Sequence, residues 1–300
     1  MHDQLMERVR FARTEAQVSP MGVGTYYDFR WIAPAKILGI KAGRQRRIEA
    51  IKAAIASGIN LIDSAELYQS EPLVAEAIKG MPREEIFLAT KVMPLHFSYD
   101  SLIKSCERSL RNLGTDYIDL YQMHFPSSNK NRIKEGIRAM EHLVDQGKIR
   151  YIGISNFTLA QTEEAVSWLK KYPLSSTQMN FSLAHRNIEK DLLPYCRENG
   201  IAILAYFPLG HGKLAGTSAV NQDLMKAIEN QHGKKTATQI VLNWFMSKYE
   251  FVFPIPRASN PDHVKENAGA MGWQMTPEEV EMLERSIEKI RGPFNPVDRS

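Results

Sequence analysis

The sequence is poor in cysteine. Cys106 and Cys196 are the only two in 300 residues, and each falls within an amphipathic helical pattern. No disulfide framework and no cysteine-held metal are expected, and both thiols read as buried groups of a protein in a reducing compartment. Long apolar runs are also missing: the longest, IAILAYFPL from residue 201, is too short to cross a bilayer. The opening MHDQLMERVRF has no apolar signal core, so a cytoplasmic protein without a membrane partner is expected. Neither sign of charge dominates, with 38 Lys and Arg against 34 Asp and Glu. The basic residues are spread along the chain, and nucleic acid is not implied. One cluster, Lys36, Lys41, Arg44, Arg46 and Arg47, lacks interleaved aromatics and reads as a solvated loop and helix start. No Gly-x-Gly-x-x-Gly follows a strand pattern, which excludes the Rossmann way of holding a dinucleotide. None of the eight histidines pairs with a carboxylate at a ligand spacing, so no metal is expected.

What remains is an ordinary globular composition, 43% apolar and 24% charged, with no Pro- or Ser-rich linker to divide residues 1–300 into more than one domain. From residue 21, short runs of Val, Ile and aromatics alternate with helical patterns. The strand candidates are MGVGTY at 21, NLIDSA at 60, IFLATKV at 86, YIDLYQMH at 117, IRYIGISN at 149, STQMNF at 176, IAILAYF at 201 and FVFPIP at 251. Eight strands separated by helices point to a (β/α)8 TIM barrel, since an open sheet would have more polar edge strands. Thr158 and Gln161 fit a capping box, and Gly114, Gly147 and Gly200 stand where helices stop. In LIKSCERSLRNLG the apolar positions Leu102, Cys106, Leu110 and Leu113 form one face of an outer helix. An additional C-terminal helix opens with Thr276 as cap, Pro277 in the first turn and Glu279 closing the box. Residues 1–20 carry no clear pattern, and the 27–43 loop is long enough to serve as a lid.

In such barrels the chemistry lies at the carboxyl ends of the strands. There the sequence places Asp63, Lys91, His124, Ser155 with Asn156, Gln178, Tyr206 and Arg257, a polar or ionisable group after every strand from the second to the eighth. Each alone has an ordinary explanation: a turn, a snorkelling lysine, a satisfied buried histidine, a helix cap. Their joint placement at one end of seven strands is better explained by a site. Tyr68, five residues beyond Asp63, joins them.

These residues resemble the aldo-keto reductase superfamily, from GVGTYY to PIPRASNPDHVKEN. GINLIDSAELY is similar to the family's Gly-x-Asn-x-x-Asp-Thr-Ala-x-x-Tyr signature, with Ser64 in place of Thr. The resemblance implies a catalytic set of Asp63, Tyr68, Lys91 and His124, and NADPH-dependent reduction of an aldehyde or ketone. In that reading Tyr68 is the general acid, Lys91 the cation that stabilises its phenolate, Asp63 the partner of Lys91, and His124 the group that orients the substrate oxygen.

For NADPH or NADP+, the resemblance implies Ser155, Asn156 and Gln178 at the nicotinamide carboxamide, Tyr206 stacked on its ring, and Gly24, Thr25, Tyr26 and Asp63 beside it. Phe207, Pro208, Leu209 and Gly210 follow the stacking tyrosine, with Phe207 in place of the usual Ser. Arg257, Ala258, Ser259, His263, Glu266 and Asn267 match the adenosine-phosphate segment. His263 replaces a common Arg and Ala258 a common Ser, so Arg257 is the cation that favours NADPH over NADH. For the small carbonyl substrate, Tyr26, Trp31, Tyr68, Phe97, His124 and Phe125 form an apolar slot, joined by Tyr27 and His96. Two other readings of the same barrel are a Schiff-base aldolase using Lys91 and a non-catalytic NADP-binding regulator. Oligomeric state is not legible in the residues.

Overall fold

The structure is a computed structural model that describes residues 8–27, 43–214 and 222–287. Trp31, Lys36, Lys41 and all but the ends of the 27–43 loop lie outside these. A hairpin comes first, β1 (Val9–Arg10) antiparallel to β2 (Gln17–Val18). The eight expected strands follow: β3 (Val23–Gly24), β4 (Leu61–Asp63), β5 (Phe87–Val92), β6 (Ile118–Met123), β7 (Ile149–Ser155), β8 (Leu174–Asn180), β9 (Ala202–Tyr206) and β10 (Val252–Pro254). They pair in parallel in chain order from β3 to β10.

The ring closes between its first and last strands. Gly24 donates to the Pro256 carbonyl at 2.9 Å, and the Ala258 amide donates back to the Gly24 carbonyl at 2.9 Å. Gly24 is glycine for a steric reason, because a Cβ there would lie 3.1 Å from the Ile255 carbonyl oxygen. Around the strands run α1 (Arg44–Ala56), α2 (Glu71–Ile78), α3 (Tyr99–Leu113), α4 (Lys130–Asp145), α5 (Leu159–Trp168), α6 (Leu192–Asn199), α7 (Gln222–Gln231), α8 (Ala237–Lys248) and α9 (Pro261–Ala268). The C-terminal α10 (Pro277–Ser286) completes the described helices.

Local signals act as the sequence implies. Thr158 with Gln161 and Thr276 with Glu279 form complete capping boxes, and so do Thr236 and Gln239 at the start of α8. Gly114 and Gly200 end α3 and α6 in the left-handed region, at φ 65° and 66°. Leu102, Cys106, Leu110 and Leu113 form the buried face of α3. Cys106 and Cys196 are both free, and burial pushes each thiol up to about 12, which leaves them inert.

Because side chains alternate along a strand, each barrel strand sends every second residue inward. Leu61, Phe87, Ala89, Leu120, Ala202, Leu204 and Phe253 meet in one interior cluster. Ile62, Leu88, Tyr121, Ile152, Ile154 and Ile203 face outward and join the helices in the larger core. The amino-terminal end of the interior is stoppered by the hairpin, whose Phe11 is fully buried against Phe87 and Phe253, with ring centroids at 4.8 and 5.2 Å. Two strands of two residues each carry no periodicity, so the hairpin escapes sequence patterning.

Phe11→Ala is expected to remove about 3–5 kcal/mol of unfolding free energy, as for other buried Phe truncations. Urea unfolding followed by circular dichroism measures it; a change below about 1 kcal/mol would show that the hairpin does not seal the barrel.

Candidate active site

Further along the same inward-facing rows the character of the barrel changes. Asp63 follows Leu61, Lys91 follows Ala89, Gln122 follows Leu120, and Tyr206 follows Leu204, so an apolar layer is capped by a polar one at the carboxyl ends of the strands. Gly153 of β7 makes the room. A Cβ there would stand 2.6 Å from Ser176 Oγ, 2.7 Å from Gln122 Cγ and 3.1 Å from Leu120 Cδ1.

Lys91 is fully buried, and its Nζ donates to Asp63 Oδ2 at 2.6 Å and to the Ser64 carbonyl at 2.7 Å. The other carboxylate oxygen, Asp63 Oδ1, accepts from Gln178 Nε2 at 2.9 Å and, at the long distance of 3.4 Å, from Gln122 Nε2. The Asp63 main chain is fixed too. Its carbonyl accepts from the Thr25 amide at 2.9 Å and from Thr25 Oγ1 at 3.0 Å. Thr25 Oγ1 also meets Ser70 Oγ at 2.8 Å, and Ser64 Oγ meets the same Ser70 at 3.1 Å. Ser64, which stands in place of the usual Thr, thus keeps a hydroxyl in this network, while the hydroxyl of Thr25 is turned into the wall.

Tyr68 ends a 3-10 turn, Glu66–Tyr68, just past β4. Its hydroxyl lies 3.2 Å from His124 Nε2, and the Lys91 ammonium is 4.9 Å from its ring centroid. Tyr26 stands edge-on to Tyr68 at 5.2 Å, and Phe125 stacks on the His124 ring at 4.5 Å. Burial drives the Tyr68 phenol well above its ordinary value, with the charge of Asp63 pushing the same way. Desolvation of the phenolate is the larger cause, so the phenol stays protonated. Burial, seconded by Lys91, also holds the His124 imidazolium well below its ordinary range, so the ring is neutral. Lys91 is drawn downward by burial, with Asp63 pulling the other way.

Beside this group, Asn156 Nδ2 donates to the His124 carbonyl and to Ser155 Oγ, both at 3.0 Å, and Ser155 Oγ donates to the Gln178 carbonyl at 3.0 Å. The half-buried Tyr206 donates to Asn156 Oδ1 at 2.8 Å. Asn156 and Phe207 both hold left-handed backbone, at φ 65° and 51°. The Phe207 ring leans on Tyr206, Tyr26 and His211, and its carbonyl accepts from the Gly210 amide at 2.8 Å. Pro208 is buried, with Leu209 and Gly210 half-buried after it.

Exposed Arg257 follows β10, with Nη1 donating to the Tyr27 carbonyl at 3.4 Å. Ala258 is buried in the barrel closure, and Ser259 lies half-buried beside it. On α9, His263 is exposed and Asn267 buried, while the Glu266 carboxylate accepts from Thr236 Oγ1 at 2.9 Å.

Two expected wall residues fare differently. Trp31 lies outside the described residues. Phe97 is fully buried in the outer core, its carbonyl 3.1 Å from where a Cβ on Gly136 of α4 would be, so it lines no open slot. Its neighbour Leu95 is 64% exposed instead. An apolar residue in a short loop between strand and helix reads equally well as wall or core, and only the loop path decides. Gln122 was not singled out in the sequence, although its inward parity with Leu120 would have found it.

Residues 38–288 match the model of the aldo/keto reductase family. The chain belongs to that family. It is 33% identical over 282 residues to methylglyoxal reductase YeaE of Escherichia coli, covering 93% of this chain and 94% of the relative. Glyoxal reductase of Bacillus subtilis is 33% identical over 250 residues, 83% of this chain and 86% of that protein. An aldo/keto reductase of Klebsiella pneumoniae, solved with NADP and acetate, superposes with a TM-score of 0.79 at 33% identity over 93% of this chain and 95% of its own.

The chain is therefore an oxidoreductase that reduces a carbonyl compound with NADPH. The residues present suit that cofactor. A carboxamide offers two donors and one acceptor, and the Ser155, Asn156 and Gln178 cluster offers the complementary hydroxyl and amide groups next to a half-buried tyrosine ring. His124 Nδ1 is buried without a partner among the described residues, so nothing at that nitrogen fixes which tautomer the neutral ring adopts.

A neutral His124 has two consequences for pH. The folded protein takes up a proton here less readily than the unfolded chain, so stability is fully present above the ordinary histidine value of about 6.5 and declines as pH falls below it. The kcat for reduction is expected to be flat between about pH 6 and 9, since the phenol stays protonated and the imidazole stays neutral across that window. A pH profile of kcat measures this, and a limb near pH 6.5 would mean that His124 titrates as a free histidine.

Proposed function

We propose that Tyr68 is the proton donor for the reduction of a small carbonyl compound, with His124, Lys91 and Asp63 as its supporting set. The observation that carries the reading is the Tyr68 hydroxyl 3.2 Å from His124 Nε2, with the buried Lys91–Asp63 pair behind its ring. NADPH, when bound, supplies the hydride to the carbonyl carbon. The protein's part concerns the oxygen: neutral His124 donates from Nε2 to it and orients it, and Tyr68 gives it the phenolic proton. A phenol is intrinsically a stronger acid than an alcohol, and burial makes a developing alkoxide beside it more basic as well, so transfer to it runs downhill. Lys91 stabilises the phenolate that remains, and Asp63 keeps Lys91 charged.

The Ser155, Asn156 and Gln178 cluster holds the carboxamide, and Tyr206 takes the nicotinamide face. Gly24, Thr25 and Tyr26 line the near side, with Phe207, Pro208, Leu209 and Gly210 beyond. Arg257 meets the 2′-phosphate, and Ser259, His263, Glu266 and Asn267 flank the adenosine. Tyr26 and Phe125 present an apolar wall at the mouth. The substrate is a short 2-oxoaldehyde of the kind named in the two reductase relatives, methylglyoxal or glyoxal. No helix among the described residues is long and apolar enough to cross a membrane, and a cytoplasmic, single-domain enzyme is the setting we infer. The aldolase reading is disfavoured because Lys91 Nζ is engaged as an ammonium by Asp63 and the Ser64 carbonyl.

Tyr68→Phe is expected to lower kcat for methylglyoxal by roughly 10² to 10⁴, with NADPH affinity by fluorescence titration unchanged within about twofold. A kcat within about threefold of the unaltered protein would overturn the assignment. Arg257→Ala is expected to erase most of the preference for NADPH over NADH in the same titration, and equal binding of the two by the unaltered protein would contradict the role given to Arg257.

A further inference from the structure

The turn that carries Tyr68 is held by a carboxylate that takes no part in the chemistry above. Glu66 begins that turn, two residues before the phenol, and its side chain is only 9% exposed. Its Oε1 accepts from the Met93 amide at 2.6 Å and lies 2.9 Å from His96 Nδ1. Its Oε2 accepts from Arg108 Nη2 at 3.0 Å, and Arg108 is steadied by Ser105 Oγ at 2.8 Å.

Met93 stands two residues after Lys91, where β5 leaves the sheet. The sheet ladder secures the chain only as far as Ser64, whose amide donates to the Ala89 carbonyl at 2.8 Å. Past that point Tyr68 depends on its own short turn, closed by the Tyr68 amide to the Ala65 carbonyl at 3.0 Å. A 3-10 turn of three residues has poor hydrogen-bond geometry and little rigidity of its own. The Glu66 carboxylate makes a cross-brace, tying the segment that delivers the phenol to the segment that delivers the ammonium. The charge of Glu66 is not among the groups that shift the Tyr68 phenol, whereas that of Asp63 is.

We propose that Glu66 is a positioning residue for Tyr68, acting through the length of its side chain to the Met93 amide rather than through its charge. This rests on Tyr68 as the acid. Proton transfer from a fixed phenol depends steeply on placement, and a displacement of about 1 Å costs on the order of 10²-fold in rate.

Two variants separate reach from charge. Glu66→Asp keeps the charge but is one methylene too short to hold Met93 from the same turn. Glu66→Gln loses the charge but keeps an acceptor oxygen at the same reach. With saturating NADPH and methylglyoxal, Glu66→Asp is expected to lower kcat by about 10- to 100-fold with NADPH affinity unchanged, and Glu66→Gln to stay within about threefold. With deuterated NADPH the primary isotope effect on kcat should rise in Glu66→Asp, as the chemical step becomes slower.

The double variant Glu66→Asp/Tyr68→Phe should be no slower than Tyr68→Phe alone, because a brace for an absent hydroxyl has nothing to lose. The reverse order, Gln poor and Asp near normal, would assign the effect to charge and overturn the proposal. Losses that multiply in the double variant would overturn it as well, by showing that Glu66 acts elsewhere. Should Tyr68→Phe itself cost nothing, the acid assignment fails first and is told apart from a failure of the brace.

Discussion

An ammonium group with no access to water governs the carboxyl end of this barrel. Lys91 is fully buried, and an isolated charge in such a place would lose its proton or unfold the region around it. It persists because Asp63 lies at 2.6 Å and the Ser64 carbonyl at 2.7 Å. The carboxylate in turn needs donors on its second oxygen, and Gln178 and Gln122 supply them from two further strands. One buried cation thus recruits polar residues from β4, β5, β6 and β8, and the site is held together by the requirement that neither charge of the pair be left without partners.

That requirement shapes the fold as much as the chemistry. The barrel is filled in the ordinary way at its amino-terminal half, by Leu61, Phe87, Leu120, Leu204 and Phe253 under the Phe11 stopper. Polar side chains on the same inward rows must then fit above that layer, and Gly153 gives up its side chain so that Gln122 and Ser176 have room. Dryness has a chemical effect as well. It keeps the Tyr68 phenol protonated and His124 neutral, which suits reduction, where a proton must be available and an imidazolium near Lys91 would be repelled.

Much of this was legible in the residues because it depends on periodicity and on strand ends. Runs such as IFLATKV and YIDLYQMH are buried on both faces and read as strands whatever the tertiary detail, and the polar residue that closes each one marks the mouth. Caps such as Thr276 with Glu279 are local and equally plain. The parts that escaped are those decided by distant contacts. The β1–β2 hairpin has no pattern of its own and is placed by where Phe11 is buried. Phe97 is identical, as a letter, in a pocket wall or in a core. Glu66 looks like any solvated acid until the path of the loop after β5 brings Met93 to it. The direction of the Tyr68 shift also required burial to be known, because desolvation is its largest cause and Asp63 only adds to it.

The claim that one buried ion pair organises the site is tested most directly by a double-variant cycle in unfolding free energy at positions 63 and 91. Lys91→Met leaves the buried Asp63 carboxylate without its counter-ion and is expected to cost about 3–5 kcal/mol in urea unfolding at neutral pH. Adding Asp63→Asn removes the stranded charge and should recover much of that loss, giving a coupling of at least about 1–2 kcal/mol. If Lys91→Met alone costs under about 1 kcal/mol and the two changes add without coupling, the pair is not the constraint on which the site depends.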